Sequence, residues 1–441
     1  MAISALGPQR AGPGKRPPVA SKRSSFSPSS KIAILGFGTV GKAVAEVLCS
    51  RPNLPFRLTH VFNRDVDRKR VSWVPNGVEW TDDIRHVLAS DVDVVVEVAG
   101  GLEPAKQWVQ QALLAGKSVV TANKHLMAVY GVELSELAHQ TGQQILYGAS
   151  VAGGVPVLSA LEHGLAGDKL VKFVSVLNGT CNYILSNMEA YGTSLAAAVA
   201  EVQKLGFAEA DPSDDLNGTD ASCKLAILAR VALQVDIRPE CVYKRSIESI
   251  EPSDFEYARE LGCTIRQLSM AEIRENTLLA TVQPMLVPLS SPLSRTKDNQ
   301  NALVVTGEHG GETVLSGRGA GGGPTAVAII SDLLALRRNV TATANNLHLR
   351  ACRVSADFSS SYLLRSRGRA ETSAVPAITQ ALSTRGVQVD WVRRVKRSGR
   401  HSEFVMLVKP CSTAAVEGAL GEIRDRWGTR CTPVYLPIFA E

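Results

Sequence analysis

The chain has 441 residues, 45% hydrophobic and 20% charged, enough to bury more than one core, so two or three domains are expected. Its formal charge of +6 sits at the start of the chain, where Arg10, Lys15, Arg16, Lys22, Arg23 and Lys31 precede any acid. Removing those six from 48 basic residues leaves 42 against 42 acidic, and a neutral body excludes an extended nucleic-acid surface. No apolar run approaches the roughly 20 residues of a membrane span. The eight cysteines, without paired spacing, exclude a disulfide framework and a structural zinc site.

Residues 1–30, rich in Pro, Gly and Ser, read as a disordered basic tail. The same composition suits an organelle transit peptide, but its prolines and glycines spoil an amphipathic helix. A cytoplasmic protein is therefore expected, with organelle targeting as the alternative.

Residues 31–35 form a short apolar strand, GFGTVG follows at 36–41, and 42–48 reads as a helix. Strand, G-x-G-x-x-G, helix is the context in which a glycine-rich turn holds a dinucleotide pyrophosphate. Gly36 permits the tight turn, Gly38 the close approach of backbone to phosphate, and Gly41 the packing of helix on strand. Gly36, Phe37, Gly38, Thr39, Val40 and Gly41 are thus candidate cofactor contacts. The second strand, 56–62, ends at Asn63, Arg64 and Asp65, with Arg68, Lys69 and Arg70 beyond. An arginine at that tip favours the extra phosphate of NADP over the free ribose hydroxyl of NAD, so NADP is expected and NAD is left open. A buried strand at 92–98, a helix at 104–115 and a strand at 118–121 complete a doubly wound parallel sheet over 31–150. Thr121 and Lys124 lie past the last strand, at the edge where ligands bind such sheets.

A glycine-rich bend at 147–156 opens a second, α+β domain over 151–316. A strand at 170–180 runs into NGTCNY, helices extend to about Leu268, and strands follow near 277–287 and 302–316. Between them, residues 206–224 hold Glu209, Asp211, Asp214, Asp215 and Asp220 and end on Lys224. Asp220 and Lys224 are four apart, on one helical face, with Asn217 or Thr219 as the cap. An isolated pair of this kind is ordinarily a surface ion pair worth about 0.3–0.5 kcal/mol. Here the helix beyond Lys224 is apolar, and a cluster of acids around one lysine suits proton transfer or binding of an ammonium group.

The succession GFGTVG, TANK, SVAGGVP, NGTCNYI, GFAEADPSDDLNGTDASCK and GRGAGGGPTA closely resembles homoserine dehydrogenase over about residues 31–340. The resemblance implies an NAD(P)-dependent oxidoreductase acting on a CH–OH group, interconverting L-homoserine and L-aspartate 4-semialdehyde. It also implies a place in threonine, isoleucine and methionine biosynthesis, and a homodimer or homotetramer built on the second domain. It makes Lys124 and Lys224 the catalytic lysines and Asp220 the residue that orients Lys224. Glu209 and Asp215 then bind the substrate, Gly179 and Thr180 line its pocket, and Gly319 joins the cofactor contacts. The carbonyls of Val151, Gly153 and Val155 would hold a Na⁺ or K⁺ ion, weakly, because Gly148 stands where the family usually has a glutamate. Cys181 replaces a usual threonine.

Residues 317–345 return to the nucleotide domain. Residues 350–441 read strand, helix, strand, strand, helix, strand, which resembles a ferredoxin-type ACT regulatory domain. Its usual Asp-x-Pro-Gly turn is replaced by residues 369–373, so assembly rather than effector binding is expected of it. Two other functions compete: an acylating aldehyde dehydrogenase using Cys181, and a non-catalytic NAD(P)-sensing regulator.

Overall fold

The computed structural model describes residues 29–206, 210–338, 349–369, 375–396, 401–427 and 433–440. The tail through residue 28, Glu209 and residues 370–373, where the altered ligand turn is expected, lie outside them.

Six strands build the first sheet: β1 (Ser30–Leu35), β2 (Phe56–Phe62), β3 (Glu79–Thr81), β4 (Val94–Glu97), β5 (Ser118–Thr121) and β6 (Ile145–Leu146). Their order, β3-β2-β1-β4-β5-β6, is parallel throughout, the arrangement of a Rossmann sheet. β1 and β4 are buried along their central residues on both faces, as strands sandwiched by helices must be. One cover is the Thr39–Ser50 helix; against it lies the Gly322–Arg337 helix, whose Ile329, Ile330 and Leu333 share a core with Ile32, Ile34 and Val44. The chain thus returns to the nucleotide layer after building its second one.

That second layer is a mixed sheet of β7 (Leu170–Val176), β8 (Tyr243–Lys244), β9 (Cys263–Arg274), β10 (Thr277–Pro288), β11 (Gln300–Gly307), β12 (Gly311–Arg318) and β13 (Arg353–Ser355). The order is β12-β11-β7-β9-β10-β13, with β8 added on β10. Two sequence expectations fail here. Residues 263–268 belong to β9 rather than to a helix, and 302–316 is the hairpin β11–β12 rather than one strand. β9 misleads because its polar residues are buried: Arg266, 1% exposed, donates to Thr296 O, Ser294 O and Glu189.

The C-terminal module contains β14 (Ser359–Arg369), β15 (Val389–Lys396), β16 (His401–Ser412) and β17 (Val434–Pro437), antiparallel in the order β15-β16-β14-β17, with helices Val375–Thr384 and Thr413–Trp427. Alternation along β14 divides its contacts. Tyr362 and Leu364 pack under the module's helices, whereas Leu363 joins the core beneath the Gly179–Tyr191 and Pro252–Glu260 helices. Arg365, on the same side as Leu363, is buried against Asp254 at 2.6 Å, Ser249 O at 2.8 Å and Glu251 at 3.2 Å.

Candidate active site

At the first β–helix turn, Gly36 has φ +101°, and a Cβ there would lie 2.9 Å from the Ala99 backbone. A Cβ on Gly41 would overlap the Gly36 carbonyl at 2.1 Å, whereas Gly38 faces open space. The helix begins at Thr39 on a Gly38 cap with no side-chain bond, a backbone suited to a pyrophosphate. Phe37 is fully buried, edge-on to Trp80, so only its backbone can meet a cofactor; Thr39 is exposed and Val40 half-buried. Arg64 is exposed just past the tip of β2. Thr121 is fully buried, its hydroxyl given to Glu97 at 2.6 Å, so its side chain supports the site from behind.

Glu97 was not legible in the sequence. Buried at the end of β4, it accepts from Thr121 and from the amides of Ala99 (2.9 Å) and Gly100 (3.1 Å), tying the loop after β4 to the loop after β5. Burial raises its pKa, against those hydrogen bonds. Asn123 then donates to Gly101 O at 2.7 Å and caps the Lys124–Gln140 helix, so Lys124 starts that helix from a fixed loop.

The second lysine comes from the Thr219–Leu233 helix. Its cap is Gly218 in the left-handed region, with the Asn217 side chain accepting from Thr219 N–H at 2.9 Å, which corrects the expected caps. The stretch before it is in part a short helix, Ser213–Leu216. The Thr219–Leu233 and Lys124–Gln140 helices cross closely. Arg230, buried, donates to Met127 O and Ala128 O, and a Cβ on Gly131 would strike its guanidinium at 2.2 Å.

Both lysines meet on Asp220. Lys224 Nζ lies 2.7 Å from Oδ2 and Lys124 Nζ 2.8 Å from Oδ1; Lys224 also donates to Leu177 O at 2.8 Å. Burial alone would raise the Asp220 pKa, but the two ammonium groups outweigh it and hold the carboxyl well below the usual range. Asp220 in turn raises Lys124 against its own desolvation. Asp215 moves upward, from burial and then from Asp220. A cavity of about 520 Å³ gathers Lys124, Lys224, Asp215, Asp220, Asn178, Gly179 and Thr180, closed by Gly100, Gly101 and Ala320. Asp211 and Asp214 stand exposed on its rim. His125, also unforeseen, lines the wall, its pKa lowered by desolvation and then by Lys124.

Gly319 sits behind the cavity, where a Cβ would overlap Asn301; its carbonyl lies against Gly153. In the bend, the Val155 carbonyl already accepts from Val157 N–H at 2.7 Å. The Gly148 amide donates to Asp332 Oδ2 at 2.8 Å, and a Cβ on Gly148 would lie 2.6 Å from Asp332 Oδ1. A carboxyl from the returning helix therefore fills the place of the absent glutamate. Among the described residues no group of three His, Cys, Asp or Glu could hold a metal ion, and no helix is long and apolar enough to cross a membrane.

Residues 36–148 match the NAD-binding domain of homoserine dehydrogenase and residues 156–334 the family described as homoserine dehydrogenase. The Bacillus subtilis homoserine dehydrogenase is 35% identical over 90% of this chain and 95% of its own. The Mycobacterium tuberculosis protein of that name is 42% identical over 70% of this chain and 72% of its own. A solved homoserine dehydrogenase from Thiobacillus denitrificans superposes with a TM-score of 0.84 at 31% identity, covering 93% of this chain and 98% of that one. A hyperthermophilic archaeal homoserine dehydrogenase, solved in complex with NADPH, gives 0.60 at 27% identity over 70% of this chain and 97% of that one.

Proposed function

The chain belongs to the homoserine dehydrogenase family, and from that premise we propose roles for the residues of its cavity. The family's reaction is an NAD(P)-dependent oxidation at a CH–OH group, interconverting L-homoserine and L-aspartate 4-semialdehyde. The glycine turn, open at Gly38 and backed by a helix N-terminus, fits the pyrophosphate of the cofactor. When bound, the nicotinamide exchanges the hydride. In the direction of aldehyde reduction the chain must supply a proton and a positive charge to the oxygen that becomes an alkoxide, and in the oxidation it must take that proton back.

Asp220 bridging both lysines is the observation that carries this reading. Two of the three Lys224 donors are committed, to Asp220 and Leu177 O, which leaves the third for the substrate oxygen. Lys124, kept protonated by Asp220, suits charge stabilisation, which leaves proton transfer to Lys224. Asp215, with Glu209, would take the substrate's ammonium group. Cys181 is fully buried, its thiol donating to Asp215 O and pushed well up in pKa by burial, which counts against the acylating alternative. The retained lysine–carboxylate set counts against a non-catalytic sensor.

By function the chain divides into cofactor binding at 31–150 with the return segment 317–345, substrate binding and dimerisation at 151–316, and assembly at 350–441. The cytoplasm is the proposed location, and a homodimer or homotetramer the proposed assembly. NADPH is the proposed preference, resting on Arg64 and the cations after it. A monovalent cation would be weakly held, since the three carbonyls lack a side-chain carboxylate of their own and Asp332, the carboxyl nearest Gly148, is pushed up to about 7 by burial. The test is oxidation of NADPH and of NADH with aspartate semialdehyde. In Arg64→Ala the NADPH Michaelis constant should rise about tenfold and the NADH one little; equal effects would remove Arg64 from the 2′-phosphate.

A further inference from the structure

Asn178 does three things with one side chain. It caps the Gly179–Tyr191 helix, its Oδ1 accepting from Cys181 N–H at 2.7 Å. With Oδ1 so committed, the amide can only present Nδ2 on its other side, into the cavity. There Nδ2 donates to Asp215 Oδ1 at 2.6 Å and to Asp220 Oδ2 at 2.8 Å, one hydrogen for each carboxylate. The residue is 4% exposed.

We infer that Asn178 is a positioning residue that holds the substrate-binding Asp215 beside the lysine-binding Asp220 and keeps Asp215 charged. This rests on the assignment of those two carboxylates to the reaction. Their proximity is unfavourable by itself, because Asp220 raises the pKa of Asp215; the hydrogen bond from Asn178 lowers it again. The preceding carbonyl, Leu177 O, holds Lys224, so one dipeptide fixes both the two carboxylates and the lysine. The helix cap supplies the orientation. Serine and aspartate cap helices about as well as asparagine. Serine, however, has one hydrogen on a shorter arm, and a charged aspartate has none and adds a third negative charge.

In the serine variant that difference makes the inference testable with the helix cap kept. Asn178→Ser should melt close to the parent and bind NADPH as it does, whereas Asn178→Asp, which buries a third carboxylate against Asp215 and Asp220, should melt lower. In both, kcat/KM for homoserine should fall about 10- to 100-fold, as for a lost hydrogen bond to a charged group. The acid limb of the kcat/KM profile should move to higher pH in Asn178→Ser, because Asp215 loses a donor that favours its ionised form. An active parent whose serine variant keeps both kcat/KM and the acid limb overturns the inference. So does a loss of activity that follows the melting temperature while the acid limb stays put. A parent inert toward homoserine would instead overturn the assignment of the cavity, and this inference with it.

Discussion

Two buried aspartates on two helices behave in opposite ways. Asp220, in the first turn of the Thr219–Leu233 helix, is held ionised because two lysines outweigh its burial. Asp332, in the Gly322–Arg337 helix, has the amides of Gly148 and Ala149 for partners and the carboxyl of Glu162 as an unfavourable neighbour; burial pushes it up to about 7. Burial alone therefore does not decide the charge of a carboxyl. The counter-charge does, and where two ammonium groups provide it the site can move protons.

Removing a counter-charge is the strongest way to break this contrast. Lys224→Ala should lower turnover by a hundredfold or more, in the range of a lost general acid, with NADPH binding retained. Asp220→Asn should cost less, about tenfold, because it loosens both lysines and removes neither. Near-parental turnover in a folded Lys224→Ala protein would end the comparison.

Adding a charge on the other side comes next. The family pattern suggests that Gly148→Glu restores a cation ligand, but Asp332 already occupies the space of its Cβ. The variant should be destabilised by about 1–3 kcal/mol, as for an overpacked site, which a melting curve at neutral pH would register. An unchanged melting temperature together with tighter Na⁺ binding would show that Asp332 swings away.

The mildest probe is Asp332→Asn. A carboxyl whose folded pKa is raised favours folding most when protonated in both states, and that advantage fades as pH climbs from its unfolded value, about 4, to about 7. The parent should therefore lose stability over that interval, and the asparagine variant should show a flatter melting-temperature profile with unaltered turnover. The profiles are best taken in a bulky organic-cation buffer, so that no Na⁺ or K⁺ competes for the carboxyl. Parallel profiles would mean that Asp332 titrates normally.

What the sequence made legible was local. The glycine turn lies within six residues, and Asp220 and Lys224 share a helical face at a spacing of four, so both follow from backbone geometry. Lys124 was placed by its position after β5. What escaped was set by distant partners. Asn178 looks like an ordinary cap until Asp215, 37 residues away, is brought to it, and Asp332 meets Gly148 across 184 residues. β9 escaped for the same reason: besides its neighbours Thr264 and Ile265, Arg266 is satisfied by Thr296 O, Ser294 O and Glu189, all distant in the chain.

The returning helix also has a temporal meaning. Ile329, Ile330 and Leu333 complete a core that begins at Ile32, so the sheet made first stays open on one side while the second domain is synthesised. At ordinary translation rates that interval is roughly ten to forty seconds. Throughout it, the apolar face of β1 and the Thr39–Ser50 helix is offered to the ribosome's surroundings, which makes the nascent nucleotide layer a natural client for a chaperone that shields apolar surface.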